Sequence, residues 1–600
     1  MAATQAPVER AVQGGKHIGA VLKEEGVQYY FCVTGGHIFP IQVGIGMQGI
    51  LMIHCRHEQA AGYCADGYAR SSGKVGIAMG TAGPGATNMF SAVAQAFFAK
   101  VPLVAIMGEH GTNEDGRGAL QELRPDQIYN AVTKWTRRIV DPTVMALWVK
   151  KAVRDAMTYP QGPVVLSYPR NVQAVRTTMS QQAGYIPNAY KEPPLAYGDP
   201  AAVEQAVKTL LGAARPAIAG GEDIFWSHAE NELKEFVELT SVPVITRRNG
   251  RGAVPENHPL AFSGRARGAI LRGADVAMTI GLQLGFLEGY GAWAAKLKLI
   301  QVTQTRSDLE TTAPTAQIVI GNPKAILKQM IDYVKANYKN GVPKKTEWLA
   351  QVSDIKAKDK QRMVEDAAAN KNNKPIHPSW LAAEACEVLD KDATIILDGF
   401  TSSHFFTEKF ESKHSGGVLD AGTYAGVGHG VGMGIGAQLA RPGKQTLAIM
   451  GDGGMGLGGF DVETAVRSKL PVVYLLSNNS AWMAGSGIVY QHAMPVLGEQ
   501  DEWTHWFMHP TRYDQVFAAM GAYTERLEDP TKIKETINRA FEHANKEGRP
   551  AVVDAVVDRV TLPTAGAGRP PSIEERLKMT PFLDPEDVPP QYRHVFDVKK

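Results

Sequence analysis

Within "TLAIMGDGGMGLGGFDVETAVRSKLPVVYLLSNNSAW", residues 446 to 482, one apolar run ends in Gly-Asp-Gly and a second ends in Asn-Asn. Asp452 and Asn479 close those runs, and they offer a carboxylate and an amide oxygen 27 positions apart. With a nearby backbone carbonyl they form a set of hard oxygen donors. Mg2+ takes such donors in small number and completes its octahedron with phosphate oxygens and water. The pattern therefore points to a magnesium-held diphosphate. Gly451, Gly453 and Gly454 around the aspartate let the backbone approach such a ligand closely.

Residues so far apart must be brought together by the elements that carry them. "TLAIM" and "PVVYLLS" are continuous apolar runs of strand length, as expected for central parallel strands buried on both faces. "FDVETAVRSKL" between them has helical spacing. Asp452 and Asn479 are thus expected at the carboxyl ends of two strands joined by one crossover, where open α/β sheets bind ligands. The same alternation of helical pattern and short apolar run recurs along the chain, which predicts three consecutive doubly wound α/β domains. They are placed at residues 1–185, 199–340 and 376–560, followed by a tail at 561–600. "QQAGYIPNAYKEPPLAYGDP" reads as an extended linker, and a charged helical connector precedes residue 376.

Composition narrows the class. At 600 residues the chain exceeds one hydrophobic core. Lys plus Arg total 63 against 61 for Asp plus Glu, so no net field favours nucleic acid or an anionic membrane. Cys32, Cys55, Cys64 and Cys386 are too sparse and irregular for a disulfide framework or a zinc site. They are expected to be reduced, mostly buried thiols. No stretch has the roughly 18 apolar residues of a membrane span and the N-terminus lacks a secretory apolar region, so a soluble, cytoplasmic protein is expected.

Gly-Asp-Gly, twenty-four intervening residues and Asn-Asn on a strand, helix and strand resemble the thiamine-diphosphate enzymes, and the likeness spans nearly the whole chain. It implies thiamine diphosphate and Mg2+ as cofactors, with Asp452, Asn479 and the Ala481 carbonyl on the metal. Glu58, in "RHEQAAGY", matches the family's activating glutamate, which hydrogen-bonds the aminopyrimidine ring nitrogen. Gly83, in "GTAGPGATN", falls in the turn beside that ring. Six glycines between 426 and 436 would ruin an isolated helix at nearly 1 kcal/mol each, so close packing against something flat and rigid is expected. Val427 corresponds to the bulky residue that wedges between the two cofactor rings. In the family the N-terminal elements meet the diphosphate domain of another subunit, which implies a homodimer or homotetramer with sites at the interface.

His37, in "VTGGHIFPI", and Gln121, in "GALQELRP", resemble the residues that face the reacting carbon in lyases and carboligases of this superfamily. A histidine titrates near neutrality and can shuttle the proton of a substrate 2-hydroxyl; Gln121 can orient the same group. "GRGAVPENHPLAF" and "LDAGTYAGVGHGVGMGIGA" are most similar to 2-hydroxyacyl-CoA lyases and oxalyl-CoA decarboxylases. The reading is a carbon–carbon lyase that cleaves a 2-hydroxyacyl-CoA to formyl-CoA and an aldehyde or ketone. The rivals are an acetolactate-synthase-like carboligase and a benzaldehyde-lyase-like acyloin lyase. Arg247, Arg248, Arg251, Arg265, Arg267 and Arg272 crowd the middle unit, either to bind the phosphates of CoA or as a solvated face. FAD is not expected there, since no Gly-x-Gly-x-x-Gly follows a strand. Trp482, Met483 and Tyr490 are expected at a substrate entrance suited to a small or branched aliphatic acyl group. The tail, with Arg569 near phosphates, is either a lid or an arm between subunits.

Overall fold

The computed structural model describes residues 9–188, 194–310, 313–482, 508–559, 561, 573–578, 586 and 588–596. Three six-stranded sheets carry the fold, and every pair within them is parallel. The first contains β1 (Tyr29–Cys32), β2 (Leu51–His54), β3 (Gly76–Gly80), β4 (Leu103–Glu109), β5 (Trp135–Arg138) and β6 (Val164–Pro169), in the order β2-β1-β3-β4-β6-β5. The second contains β7 (Pro216–Gly220), β8 (Val244–Thr246), β9 (Ala261–Phe262), β10 (Val276–Ile280), β11 (Lys298–Thr303) and β12 (Thr315–Ile320), in the order β9-β8-β7-β10-β11-β12. The third contains β13 (Thr394–Asp398), β14 (Val418–Asp420), β15 (Thr446–Gly451), β16 (Val473–Asn478), β17 (Tyr523–Leu527) and β18 (Ala551–Val556), in the order β14-β13-β15-β16-β18-β17.

The central strands are the apolar runs of the sequence, and β4, β10, β13 and β18 are buried at nearly every position. Burial on both faces follows from helices packed on either side, which also saves the parallel ladders from any solvated face. The two outer sheets share one strand order although no internal sequence repeat is evident. The middle sheet has the dinucleotide-fold order. The charged connector is a helix, Thr346–Ala369, with Trp348 buried against the middle sheet and its indole N–H donating to the Pro216 carbonyl at 2.9 Å.

Two helices bind the outer domains to each other. Helix α1 (Glu58–Ser72) starts at His57, whose Nδ1 accepts from the Gln59 N–H at 3.1 Å, and stops at Gly73 in the left-handed region. Helix α2 (Pro84–Phe98) begins with a proline and packs beside α1. The glycine-rich stretch forms α3 (Gly430–Ala440), and the rigid surface that Gly432 and Gly436 meet is α1 of the same chain. A methyl group at Gly436 would lie 2.1 Å from the Cys64 carbonyl oxygen, and one at Gly432 would lie 2.9 Å from that of Ala60. Backbone cannot yield as a side chain can. Gly436→Val is therefore expected to cost about 3 kcal/mol or more in a urea melt, whereas Gly212→Ala, which enters open space, stays within about 0.5 kcal/mol.

Candidate active site

A cavity of about 410 Å3 opens at the carboxyl ends of β13, β15 and β16. Asp452, 2% exposed, is the first residue of α4 (Asp452–Gly458), and its Oδ2 accepts from the Ala481 N–H at 3.2 Å. Asn479 Oδ1 accepts from the same N–H, also at 3.2 Å. The carboxylate and amide oxygens that the sequence places 27 positions apart thus converge on one backbone group. Ser480 makes this possible by turning the chain back in the left-handed region, φ 49°. Burial pushes the Asp452 carboxyl up to about 6, so a cation beside it would favour the ionised form. Gly453 has no room for a side chain, since a methyl there would meet the Trp482 indole at 3.0 Å. Gly451, Gly454 and Val427 line the same cavity, Val427 on the loop that enters α3.

Sequence reasoning missed two contributors. Asp398 ends β13 fully buried; its Oδ1 accepts from the Gly428 N–H at 3.1 Å and its Oδ2 from the Gly430 N–H at 2.7 Å. It thereby fixes the loop that bears Val427. The helix Thr401–Lys409 begins at the cavity and contributes Thr401, Ser402, Ser403 and His404 to its wall. The signal was present: "TIILDGFTSSH" ends an apolar run in Asp-Gly, as the Gly-Asp-Gly run does.

A second cluster forms in the first domain. Glu58 is 8% exposed, and its Oε2 accepts from Asn88 Nδ2 at 3.0 Å. A methyl at Gly85 would lie 2.9 Å from Thr81 Cγ2 and 3.5 Å from Glu58 Oε1. Thr81 Oγ1 in turn sits 3.5 Å from His37 Nδ1. Gln121 has a left-handed backbone, φ 59°, and packs on Gly83, where a methyl would meet its Cβ at 2.8 Å. Glu58, His37, Gln121 and Gly83 are thus neighbours. Burial first, then the Arg170 charge, holds the His37 imidazole below its usual range. None of these four lines the cavity of its own chain.

The chain matches three family descriptions in succession: "Thiamine pyrophosphate enzyme, N-terminal TPP binding domain" over residues 12–129, the central domain over 203–330, and the C-terminal TPP binding domain over 400–555. A probable acetolactate synthase of Mycobacterium bovis is 31% identical over 560 residues, 93% of this chain and 98% of that protein. This chain belongs to the thiamine pyrophosphate enzyme family. Other relatives in it are 2-hydroxyacyl-CoA lyase 1 of Mus musculus, 26% identical over 90% of this chain and 93% of that protein, and the 2-hydroxyacyl-CoA lyase of Arabidopsis thaliana, 27% identical over 93% and 97%.

In this thiamine pyrophosphate enzyme five of the middle-domain arginines, Arg247, Arg248, Arg251, Arg265 and Arg267, lie against carboxylates. Arg251 is buried, holds Glu256 through two bonds of 2.7 and 2.9 Å and donates to the Phe410 carbonyl. Its donors are thus directed inward, whereas the sequence leaves open phosphate binding or a solvated face. Arg247 pairs with Glu288 at 2.6 Å and Arg265 with Glu408 at 2.9 Å, while Arg248 lies 3.6 Å from Asp420. Arg251→Met would leave Glu256 buried without its counter-charge, a loss of about 3–5 kcal/mol. Its melting temperature is expected to fall by several degrees while KM for an acyl-CoA changes less than about twofold. Trp482 lines the cavity. Met483, Tyr490 and Arg569 lie outside the described residues. Of the tail, Leu577 and Val588 are buried, and Arg593 Nε donates to the Val588 carbonyl. Among the described residues no helix is long and apolar enough to cross a membrane.

Proposed function

We propose that this chain is a thiamine-diphosphate-dependent carbon–carbon lyase that cleaves a 2-hydroxyacyl-CoA to formyl-CoA and an aldehyde or ketone. The observation that carries this reading is the charge of the cavity wall. Asp398, Asp420, Asp452 and Asp558 line it, and among the described residues no Lys or Arg does. The free carboxylate of a 2-keto acid finds no Lys or Arg on this wall, so its counter-charge would have to come from Mg2+, the cofactor or the second copy. A thioester carbonyl is neutral and needs none. The CoA portion rests on the named lyase relatives and not on the arginines.

The donor set fits the cofactor pair. Asp452, Asn479 and the Ala481 carbonyl would hold Mg2+, a hard ion that accepts few protein oxygens. When bound, thiamine diphosphate supplies the electron sink that lets the bond to a carbonyl carbon break. Glu58 is the carboxylate offered to its aminopyrimidine, and Val427, fixed through Asp398, is the apolar prop at the cavity wall. His37, kept neutral by burial, takes the proton of the substrate hydroxyl, and Gln121 orients that hydroxyl. Because Glu58, His37 and Gln121 lie away from the cavity of their own chain, a second copy completes each site. A homodimer is the smallest assembly that does so.

A second reading, an acetolactate-synthase-like carboligase, is favoured by the 31% identical relative. Incubating protein, Mg2+ and thiamine diphosphate with a 2-hydroxyacyl-CoA or with pyruvate separates the two. Formyl-CoA and a carbonyl compound support the lyase, whereas CO2 and acetolactate from pyruvate, with no formyl-CoA, overturn it.

A further inference from the structure

Among the described residues the middle domain reaches the cavity through Leu287 alone. On either side of it stand Phe286, 69% exposed, and Tyr290, 60% exposed, with ring centres 6.1 Å apart in an edge-to-face arrangement. Two large aromatic side chains left in water cost free energy unless something covers them. Their support is built for rigidity. Glu288, between them in sequence, is buried, and its carboxylate is held by Arg247 at 2.6 Å and by Arg267 at 3.4 Å. Gly289, Tyr290 and Gly291 all adopt the left-handed region, at φ 57°, 52° and 71°. For a tyrosine that conformation is strained, and such strain persists only where the surroundings impose it. The Tyr290 N–H, donating to the Gly285 carbonyl at 3.0 Å, closes the turn. Phe400 and Trp482 also line the cavity, and both are exposed.

We infer that the segment Phe286–Tyr290 is the specificity element of the enzyme and binds an extended, uncharged apolar group of the substrate, an alkyl chain or aryl ring remote from the bond that breaks. This rests on the proposed lyase reading and names the acyl class it acts on. The occupant is a substrate group because Leu287, which lies between the two aromatics in sequence, lines the cavity. It is uncharged because the cavity that Leu287 lines presents carboxylates and, among the described residues, no Lys or Arg. The arginines of the middle unit find their use here: Arg247 and Arg267 anchor the loop from beneath, where phosphate ligation had been one of two expected roles. The aromatic pair also extends the apolar reach beyond the small or branched acyl group suggested by the entrance residues alone.

The test is equilibrium binding of unreactive neutral carbonyls to the full-length holoprotein, read by ligand-observed NMR. The series runs from 2-butanone to 2-octanone, with 7-oxooctanoate as the charged counterpart. Affinity is expected to rise about fourfold per added methylene, the value of burying one CH2, and 7-oxooctanoate to bind at least about tenfold more weakly than 2-octanone. In Phe286→Ser/Tyr290→Asn the slope should flatten toward no gain per methylene, and Leu287→Ala should shorten it. Both aromatic side chains are exposed, so the melting temperature should hold. A flat series in the wild type, a preference for the carboxylate, or an undiminished slope in the double variant overturns the inference. So does a change in the molar mass of the double variant by light scattering, since the patch would then be a subunit contact. A flat series beside intact formyl-CoA production sinks this inference alone. A steep series with no formyl-CoA sinks the lyase reading alone.

Discussion

Glu58→Gln is expected to lower turnover by about 10²- to 10⁴-fold, the usual contribution of one proton-transfer group. The structure makes this substitution a clean one. Glu58 opens α1, where the helix N-terminus favours a negative charge, and it is enclosed by Asn88 and the side-chain-free Gly85. Glutamine has the same volume and can keep a bond to Asn88, so the fold should persist. What it removes is the anion proposed to serve the aminopyrimidine. Cofactor affinity should therefore change much less than turnover, by under about tenfold, because the proposed diphosphate site lies in another domain. Measuring kcat by stopped assay and the cofactor Kd by calorimetry separates the two. Near-normal turnover in Glu58→Gln would remove Glu58 from the site and, with it, the family's activation scheme from this chain.

The sequence made the convergence of Asp452 and Asn479 legible because both sit at strand ends. An apolar run that stops in Gly-Asp-Gly or Asn-Asn announces both the element and the group at its edge. Asp398 carried the same signal, yet its partners Gly428 and Gly430 lie thirty and thirty-two positions on, so only the folded chain reveals what it fixes. Strand order was not readable: the identical order of the two outer sheets is set by non-local pairing, and their side chains have diverged. The arginines illustrate a different limit. Arg251 has Glu256 five residues away, which could have been noticed. Arg265 instead finds Glu408, 143 positions off, and no local pattern anticipates that. The glycines of α3 were rightly read as a packing device, but their partner, α1, lies hundreds of residues earlier. Aromatic exposure at Phe286 and Tyr290 is likewise invisible in sequence, where an apolar residue is most economically assigned to a core.

Asp452→Asn is the second large effect, and it should act in opposite directions on binding and on stability. The carboxylate is the only charged protein donor proposed for Mg2+. Its loss is expected to weaken cofactor uptake in the presence of magnesium by ~10²-fold or more, about 2.7 kcal/mol. In protein stripped of metal the same charge is a burden. Burial raises the folded-state carboxyl to about 6 from 3.8, so between those values the native state binds more protons than the unfolded one. Stability of the stripped wild type therefore falls as pH rises through that window, and the deficit is complete above about 6. Asparagine carries no such charge. Stripped Asp452→Asn should melt at or above the wild type at pH 7.5, by up to roughly 3 kcal/mol, and the two should converge near pH 4. Adding Mg2+ and thiamine diphosphate should then raise the melting temperature of the wild type alone, since only a ligand bound by the folded state stabilises it. Co-expression with Glu58→Gln adds the geometric consequence: if each site draws Glu58 from one copy and Asp452 from another, random mixed dimers regain roughly a quarter of wild-type turnover. Two inactive variants that stay inactive when mixed would place both residues in one chain's site and contradict the separation of Glu58 from the cavity.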